Sequence, residues 1–376
     1  MQTRYAAMVA RESETCSLLT MAVESSDPDN RIHGMTSSRH LPEQQNAMIE
    51  LFRKLRVIEK DPAVSEEYRI IFYNLEQRER ALNPPFHPLE AEIAGKLRAR
   101  LLEVQIDQDA YAAYINPGLA TDVDDSVIDL ILSLKRVRFL HLTSKSISNE
   151  AFSRLSKLTT LELLSSPASV GDAGLAWVGD APNLKGFDAR NMTDETLRVL
   201  SKSKTLTIFS TSSPAITDEG LKFLASIHTL KSLTLPQQIT ATGVLHLSDL
   251  PLDGLTLRST SNSDAMLEAV GKIGELKYLN LRLEGTTVQG FAALTQLKKL
   301  ELLHAGGIDG REVYLKELPS LKSVAISKLD SSNLNHLMAC PNLKFLWAAT
   351  ADLNDEQQSL LKNVPFQVHV AKQLKK

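Results

Sequence analysis

The stretch Ala215–Gln237, AITDEGLKFLASIHTLKSLTLPQ, decides the fold. Its second half, Leu230-x-x-Leu233-x-Leu235, has the period of a short strand that buries alternate side chains, whereas Thr217 to Ile227 carries the apolar spacing of a helix. A strand and a helix within two dozen residues cannot enclose their own leucines, so the stretch needs neighbours of the same kind.

Those neighbours are present. Taking the first apolar residue of each strand segment as Val137, Leu158, Leu184, Leu206, Leu230, Leu252, Leu276, Leu297, Leu321 and Leu343, successive starts are 21 to 26 residues apart. Such regularity over ten units marks a repeat array, and 376 residues are more readily housed in an array than around one core. A degenerate unit with Tyr111, Tyr114 and Val123 to Ile128 precedes them. The expected fold class is therefore an α/β solenoid of about ten to eleven units over 109–376, closed at its C-terminus by the alternating segment Val364–Val370 and charged by Lys372 to Lys376 against edge pairing.

The helix-start phrase repeats as Ile216-Thr-Asp-Glu-Gly-Leu221, Met192-Thr-Asp-Glu-Thr-Leu197, Val170-Gly-Asp-Ala-Gly-Leu175, Ile147-Ser-Asn-Glu-Ala-Phe152 and Ile239-Thr-Ala-Thr-Gly-Val244. Thr217 is suited to an N-cap, Asp218 and Glu219 to the positive end of the helix dipole, and Ile216 with Leu221 to a hydrophobic staple. The units around Leu257 and Val288 lack parts of the phrase, and irregular helical sides are expected there. Together these motifs resemble the leucine-rich repeat family, in the ITDxGL subtype found in bacterial repeat proteins and in F-box-associated repeat domains. The resemblance implies a horseshoe with parallel strands on the concave face and helices on the convex face.

Ahead of the array, residues 1–40 read as a flexible segment, rich in Ser, Asp, Asn and Gly from Glu24 to His40. Residues 41–108 read as a small helical domain or cap. A first helix carries Met48, Leu51, Phe52 and Leu55, a second Tyr68, Ile71, Phe72 and Leu75, and a third, from about Pro88, carries Ile93, Leu97, Leu101 and Leu102.

Composition narrows the function. A net charge of −3 and a pI near 6.3 carry no polyanion signature, so nucleic acid is not the expected partner. No apolar run reaches the roughly 20 residues that span a bilayer. Ala6 to Ala10 is too short for an ordinary secretory signal. The expectation is a cytoplasmic protein, with export through a specialised apparatus left open. Cys16 and Cys340 are the two cysteines, and Cys340 reads as a small apolar residue at a helix end.

No pattern of catalytic or metal-binding residues emerges. The nine histidines are scattered, Asp122-Val-Asp-Asp125 lacks the Gly and Glu of a calcium loop, and Gly306-Gly307-Ile-Asp-Gly310 reads as a turn. Neither cofactor nor metal is expected, and no small-molecule substrate is evident.

The informative residues are those that strand alternation places on the sheet's outer face. They include Phe139 and His141, Glu162 and Leu164, Asp188 and Arg190, Ile208 and Ser210, and, further along, Lys299, Glu301 and Leu303. Tyr278, Arg282, Lys299, Glu301, Phe345 and Trp347 gather aromatic and charged groups of the kind that dominate binding interfaces, with the small Ser323, Ala325 and Ser327 between them. These six are the expected partner-binding residues; the competing reading packs Phe345 and Trp347 under the C-terminal segment.

Three functions compete at this stage. The first is a non-enzymatic scaffold holding a protein partner on the concave face. A bacterial effector or ubiquitin-ligase-type adaptor, whose N-terminal helices recruit machinery, is the second; Leu41-Pro-Glu followed by Ile49 and Leu55 matches the start of an F-box only faintly. The third is an enzyme within the first 108 residues, for which Cys16 is the only thiol.

Overall fold

A computed structural model describes residues 86–373 apart from 101, 117–122, 259–262, 283, 307, 309, 353–357, 359–360 and 362–363. The flexible segment 1–40 and the first two expected helices lie outside the described residues. The chain divides into two compact units, residues 1–95 with 103–112 and residues 96–102 with 113–376.

In the first unit, Glu90 is almost fully buried, and its carboxylate accepts the Ala112 backbone N–H at 2.8 Å. His87 stacks on Tyr111 with ring centroids 4.3 Å apart. Strand β1 (Glu103–Ile106) is followed by a turn at Asp107, whose Oδ1 accepts from the backbone of Asp109 and Tyr111. Ala110 adopts a left-handed φ of 69° there. The third expected helix is present over Ala91–Arg98, with Ile93 and Leu97 on it, and Leu102 lies beyond its end.

The second unit is the repeat array. Its strands are β2 (Ala112–Asn116), β3 (Phe139–His141), β4 (Leu163–Ser165), β5 (Gly186–Ala189), β6 (Ile208–Thr211) and β7 (Ser232–Leu235). They continue as β8 (Gly254–Leu257), β9 (Tyr278–Arg282), β10 (Leu302–Gly306), β11 (Ser323–Asp330), β12 (Phe345–Asp352) and β13 (Gln367–Gln373). From β2 to β13 each strand pairs in parallel with the next along the chain. One coil per strand, returning to the same sheet through a short α or 3-10 helix wherever the connection from β2 to β12 is described, is the architecture of a leucine-rich repeat solenoid. The expected terminal strand is β13, whose Val368 pairs with Leu346 and whose Val370 pairs with Ala348.

The core is a continuous stack of equivalent side chains. Leu140, Leu164, Phe187, Phe209, Leu233, Leu255, Leu279, Leu303, Val324 and Leu346 follow one another across the ladder, each no more than 2% exposed. Larger rings fill two adjacent places in the row, Phe187 and Phe209, whose centroids are 6.1 Å apart. Each coil buries little alone; removing one such leucine leaves a void shared by two neighbours.

The helix-start phrase proves to join coils as well as to cap helices. Ser148, Thr193, Thr240, Ser263 and Thr287 are N-caps whose side chains accept a backbone N–H of the first turn. Where the phrase carries an aspartate after the cap, that carboxylate reaches to the next coil. Asp172 accepts the backbone N–H and the hydroxyl of Thr193 at 2.9 and 2.6 Å, and Asp194 does the same for Thr217 at 3.0 and 2.6 Å. Asp125 serves Ser148, Asp218 serves Thr240, and Asp264 serves Thr287 in the same way.

The phrase's glycine follows from this contact. A Cβ on Gly220 would lie 2.0 Å from Asp194 Oδ1, and one on Gly290 would lie 2.0 Å from Asp264 Oδ1. Where Thr196 replaces that glycine, its hydroxyl donates to Asp172 at 2.5 Å instead. Irregular helical sides are the expectation in the coils around Leu257 and Val288; in the described residues, Ser263 caps a helix over Asp264–Gly271 and Thr287 caps Val288–Phe291.

Candidate protein-docking face

The strand register lines up two outward rows. The first is Tyr114, Phe139, Leu163, Gly186, Ile208, Ser232, Gly254, Tyr278, Leu302, Ser323, Phe345 and Gln367. Two residues on, the second runs His141, Ser165, Asp188, Ser210, Thr234, Thr256, Asn280, His304, Ala325, Trp347 and His369.

This register corrects the expected phase in two coils. Leu164 and Leu303 face the core, at 2% and 0% exposure, and Leu163 and Leu302 face outward. The true starts of these coils are Leu161 and Leu300, three residues beyond Leu158 and Leu297. In both coils the run Leu-Glu-Leu-Leu offers two adjacent leucines to one inward position, and a one-residue slip exchanges the faces.

Glu162, Lys299 and Glu301 therefore do not stand on the outward rows. Glu162 and Glu301 occupy the residue just before the strand, whose carbonyl accepts two amides of the next coil, as Glu301 does from Lys322 and Ser323 at 2.8 and 2.9 Å. That position carries alternating charge along much of the ladder. Arg138 Nε meets Glu162 Oε1 at 2.5 Å, Lys185 Nζ meets Glu162 Oε2 at 2.9 Å, Lys277 meets Asp253 at 2.8 Å, and Lys322 meets Glu301 at 2.8 Å. Hydrogen bonds from Arg138 and Lys185 hold the Glu162 carboxyl below its ordinary range; Lys277 does so for Asp253 and Lys322 for Glu301. Lys299 is engaged with both carboxylate oxygens of Glu275, at 2.7 and 2.5 Å.

Tyr278, Arg282, Phe345 and Trp347 do share the outward face. Tyr278 is half-buried, while Phe345 and Trp347 remain 39% and 52% exposed beside β13, with the Trp347 ring stacked on His369 at 4.4 Å. Leu302, assigned inward by the slipped phase, is 36% exposed between them and Tyr278. Tyr278 on β9 and Phe345 on β12 are three strand spacings apart, about 14 Å.

A second apolar patch occupies the other end of the ladder. Tyr114 and Phe139 stack at 4.3 Å, and Leu163 and Ile208 flank Gly186. A Cβ on Gly186 would meet Leu163 Cδ2 at 2.2 Å, so glycine there lets Leu163 lie across the sheet. Beside the patch, partial burial holds the His141 pKa below the usual histidine range, against the pull of Asp188 and with that of Arg190. The irregular interval before Leu184 was the one sequence signal for this patch: starting at Leu161 makes the spacings 24 and 23 in place of 21 and 26.

Between the patches the face is small and polar, with Ser210, Ser232, Thr234, Gly254 and Thr256. Such a face offers contact area and hydrogen bonds but no assembled reacting groups. Cys340 is buried in the core position that Ile273, Leu297 and Leu318 fill in other coils, and burial pushes its thiol pKa up to about 11. Among the described residues no three His, Cys, Asp or Glu side chains gather as a metal site, and no helix is long and apolar enough to cross a membrane.

No family model and no curated protein matches the sequence. Among solved structures, the chain is similar to an internalin from Listeria monocytogenes at 16% identity, covering 78% of this chain and 98% of that one, with a TM-score of 0.44. A chain of the yeast Rad7–Elc1 complex aligns at 16% identity over 89% of this chain and 96% of that one, with a TM-score of 0.41. A chain of a TLR13–ssRNA13 complex aligns at 17% identity over 70% of this chain and 42% of that one, with a TM-score of 0.40. The solenoid stands on its own ladder and core.

Proposed function

We propose that the chain is a non-enzymatic scaffold whose outward strand face, around β9 to β13, holds a protein partner. The supporting observation is the run of Leu302, Phe345 and Trp347 on this face, exposed at 36%, 39% and 52%. Large apolar groups contiguous on a sheet face and ringed by charge mark docking sites in soluble proteins, where buried aromatics supply most of the affinity. Arg282 and the half-buried Tyr278 extend the same surface; Lys299 and Glu301 border it through the charged row.

The test is affinity capture with the full chain beside a Phe345→Ala/Trp347→Ala variant. Loss of a reproducibly captured protein, with an unchanged thermal melt, is expected. Retention of every captured protein by a folded double variant overturns the reading.

A further inference from the structure

The aromatic run continues into a basic hollow. The pairings Gly254↔Tyr278 and Thr256↔Asn280 carry on to set Arg258, just past β8, beside Arg282 at the end of β9. Arg258 is exposed, and the Arg282 side chain is 62% exposed with Glu284 3.8 Å away. Together with Thr256, Asn280, Pro236 and Pro214 these arginines line a hollow of ≈ 670 Å³. A carboxylate seated between two guanidinium groups accepts planar pairs of N–H donors, in addition to the Arg282–Glu284 ion pair.

Elsewhere along the ladder, opposite charges alternate before the strands and neutralise one another. Here two arginines line one hollow, with Glu284 beside one of them. From Arg282 on β9 to Trp347 on β12 there are three strand spacings and two residues along the strand, about 16 Å, which an extended peptide covers in about five residues.

We propose that this face binds an acidic peptide segment, its carboxylate seated between Arg258 and Arg282 and an apolar side chain about four or five residues away lying over Leu302 and Trp347. This rests on the docking face proposed above and adds the chemistry of its partner. Nucleic acid also carries anions and stacks on aromatic rings. A net charge of −3 over the whole chain disfavours a long polyanion, whereas a peptide segment brings a single carboxylate to the arginines.

Panning random dodecapeptides displayed on phage against the full chain, Arg258→Glu and Trp347→Ala tests it, with thermal melts confirming that each variant folds. The expected wild-type pool is enriched in Asp or Glu with an apolar residue four or five positions away. Synthetic peptides from that pool should bind about tenfold more weakly to Arg258→Glu. An acidic preference undiminished by Arg258→Glu overturns the proposal, as do a basic pool, the absence of any enriched pool, or saturable binding of a labelled single-stranded RNA 20-mer that Arg258→Glu abolishes. Peptides that depend on Trp347 but carry no acid overturn the carboxylate site and leave the docking face standing. A pool indifferent to Trp347→Ala overturns the docking face itself.

Discussion

Asp264 in one coil accepts both the backbone N–H and the hydroxyl of Thr287 in the next, each at 2.7 Å. Thr287 in turn accepts the Gly290 N–H at 2.9 Å as helix N-cap. One carboxylate thus fixes the residue that starts the following helix, and the arrangement recurs from Asp125 to Asp264 wherever the phrase carries an acid.

Replacing Thr287 by Val removes the cap and the hydroxyl bond to Asp264. Loss of an N-cap costs about 1 kcal/mol, within a range of roughly 0.5–2. Urea unfolding of the variant should show a lower midpoint with an unchanged slope, while Thr143→Val, exposed just after β3, should leave the midpoint alone.

Acid should weaken the array through these same carboxyls. The Thr287 backbone and hydroxyl bonds hold the Asp264 pKa below its ordinary value. For Asp172, partial burial pushes upward, and the bonds from Thr193 and Thr196 together outweigh it. A carboxyl depressed in the folded state contributes fully above its unfolded value and loses that contribution as pH falls through its folded value. The midpoint in urea should therefore decline below about pH 4, the ordinary carboxyl range, and Asp264→Asn should flatten the decline.

Gly290→Ala should be destabilising because the new methyl would lie 2.0 Å from Asp264 Oδ1. In an Asp264→Ala background the same substitution meets no carboxylate, and its cost should shrink. A double-mutant cycle from urea melts measures the difference, and additive effects would contradict the packing described.

The corrected phase makes an opposite pair of predictions for adjacent leucines. Leu303→Ala empties a fully buried site and should cost about 2–5 kcal/mol. Leu302→Ala trims an outward side chain and should change stability by no more than about 0.5 kcal/mol.

Cys340 should resist alkylation in the native protein at pH 8, since its thiol stays protonated and enclosed. Peptide-resolved mass spectrometry should show rapid labelling of Cys340 only in denaturant; labelling at the free-thiol rate in buffer would contradict its burial.

The sequence reveals the ladder because hydrophobic period and unit spacing report the same geometry, and Leu230, Leu233 and Leu235 are unambiguous about which faces inward. It conceals the phase at Leu163-Leu164 and Leu302-Leu303, where two apolar neighbours compete and only packing against Phe187 or Leu279 decides. Asp218 reads as a dipole-stabilising acid, yet its principal bonds are to Thr240 in the next coil, 22 residues on. Relations of that range leave no local pattern; the nearest trace is the glycine of ITDxGL, whose missing Cβ makes room for an acid from another coil. The Arg258–Arg282 pair is equally invisible until Gly254 and Tyr278 are known to stand side by side.

The five acid-to-hydroxyl links run one way along the chain: in each, the carboxylate belongs to the earlier coil and the hydroxyl to the coil that follows. A polypeptide leaving the ribosome would meet every acceptor already in place before the matching threonine or serine emerges. Growth from the amino end is thereby templated step by step, whereas a fragment beginning mid-array must form its first helix without that help.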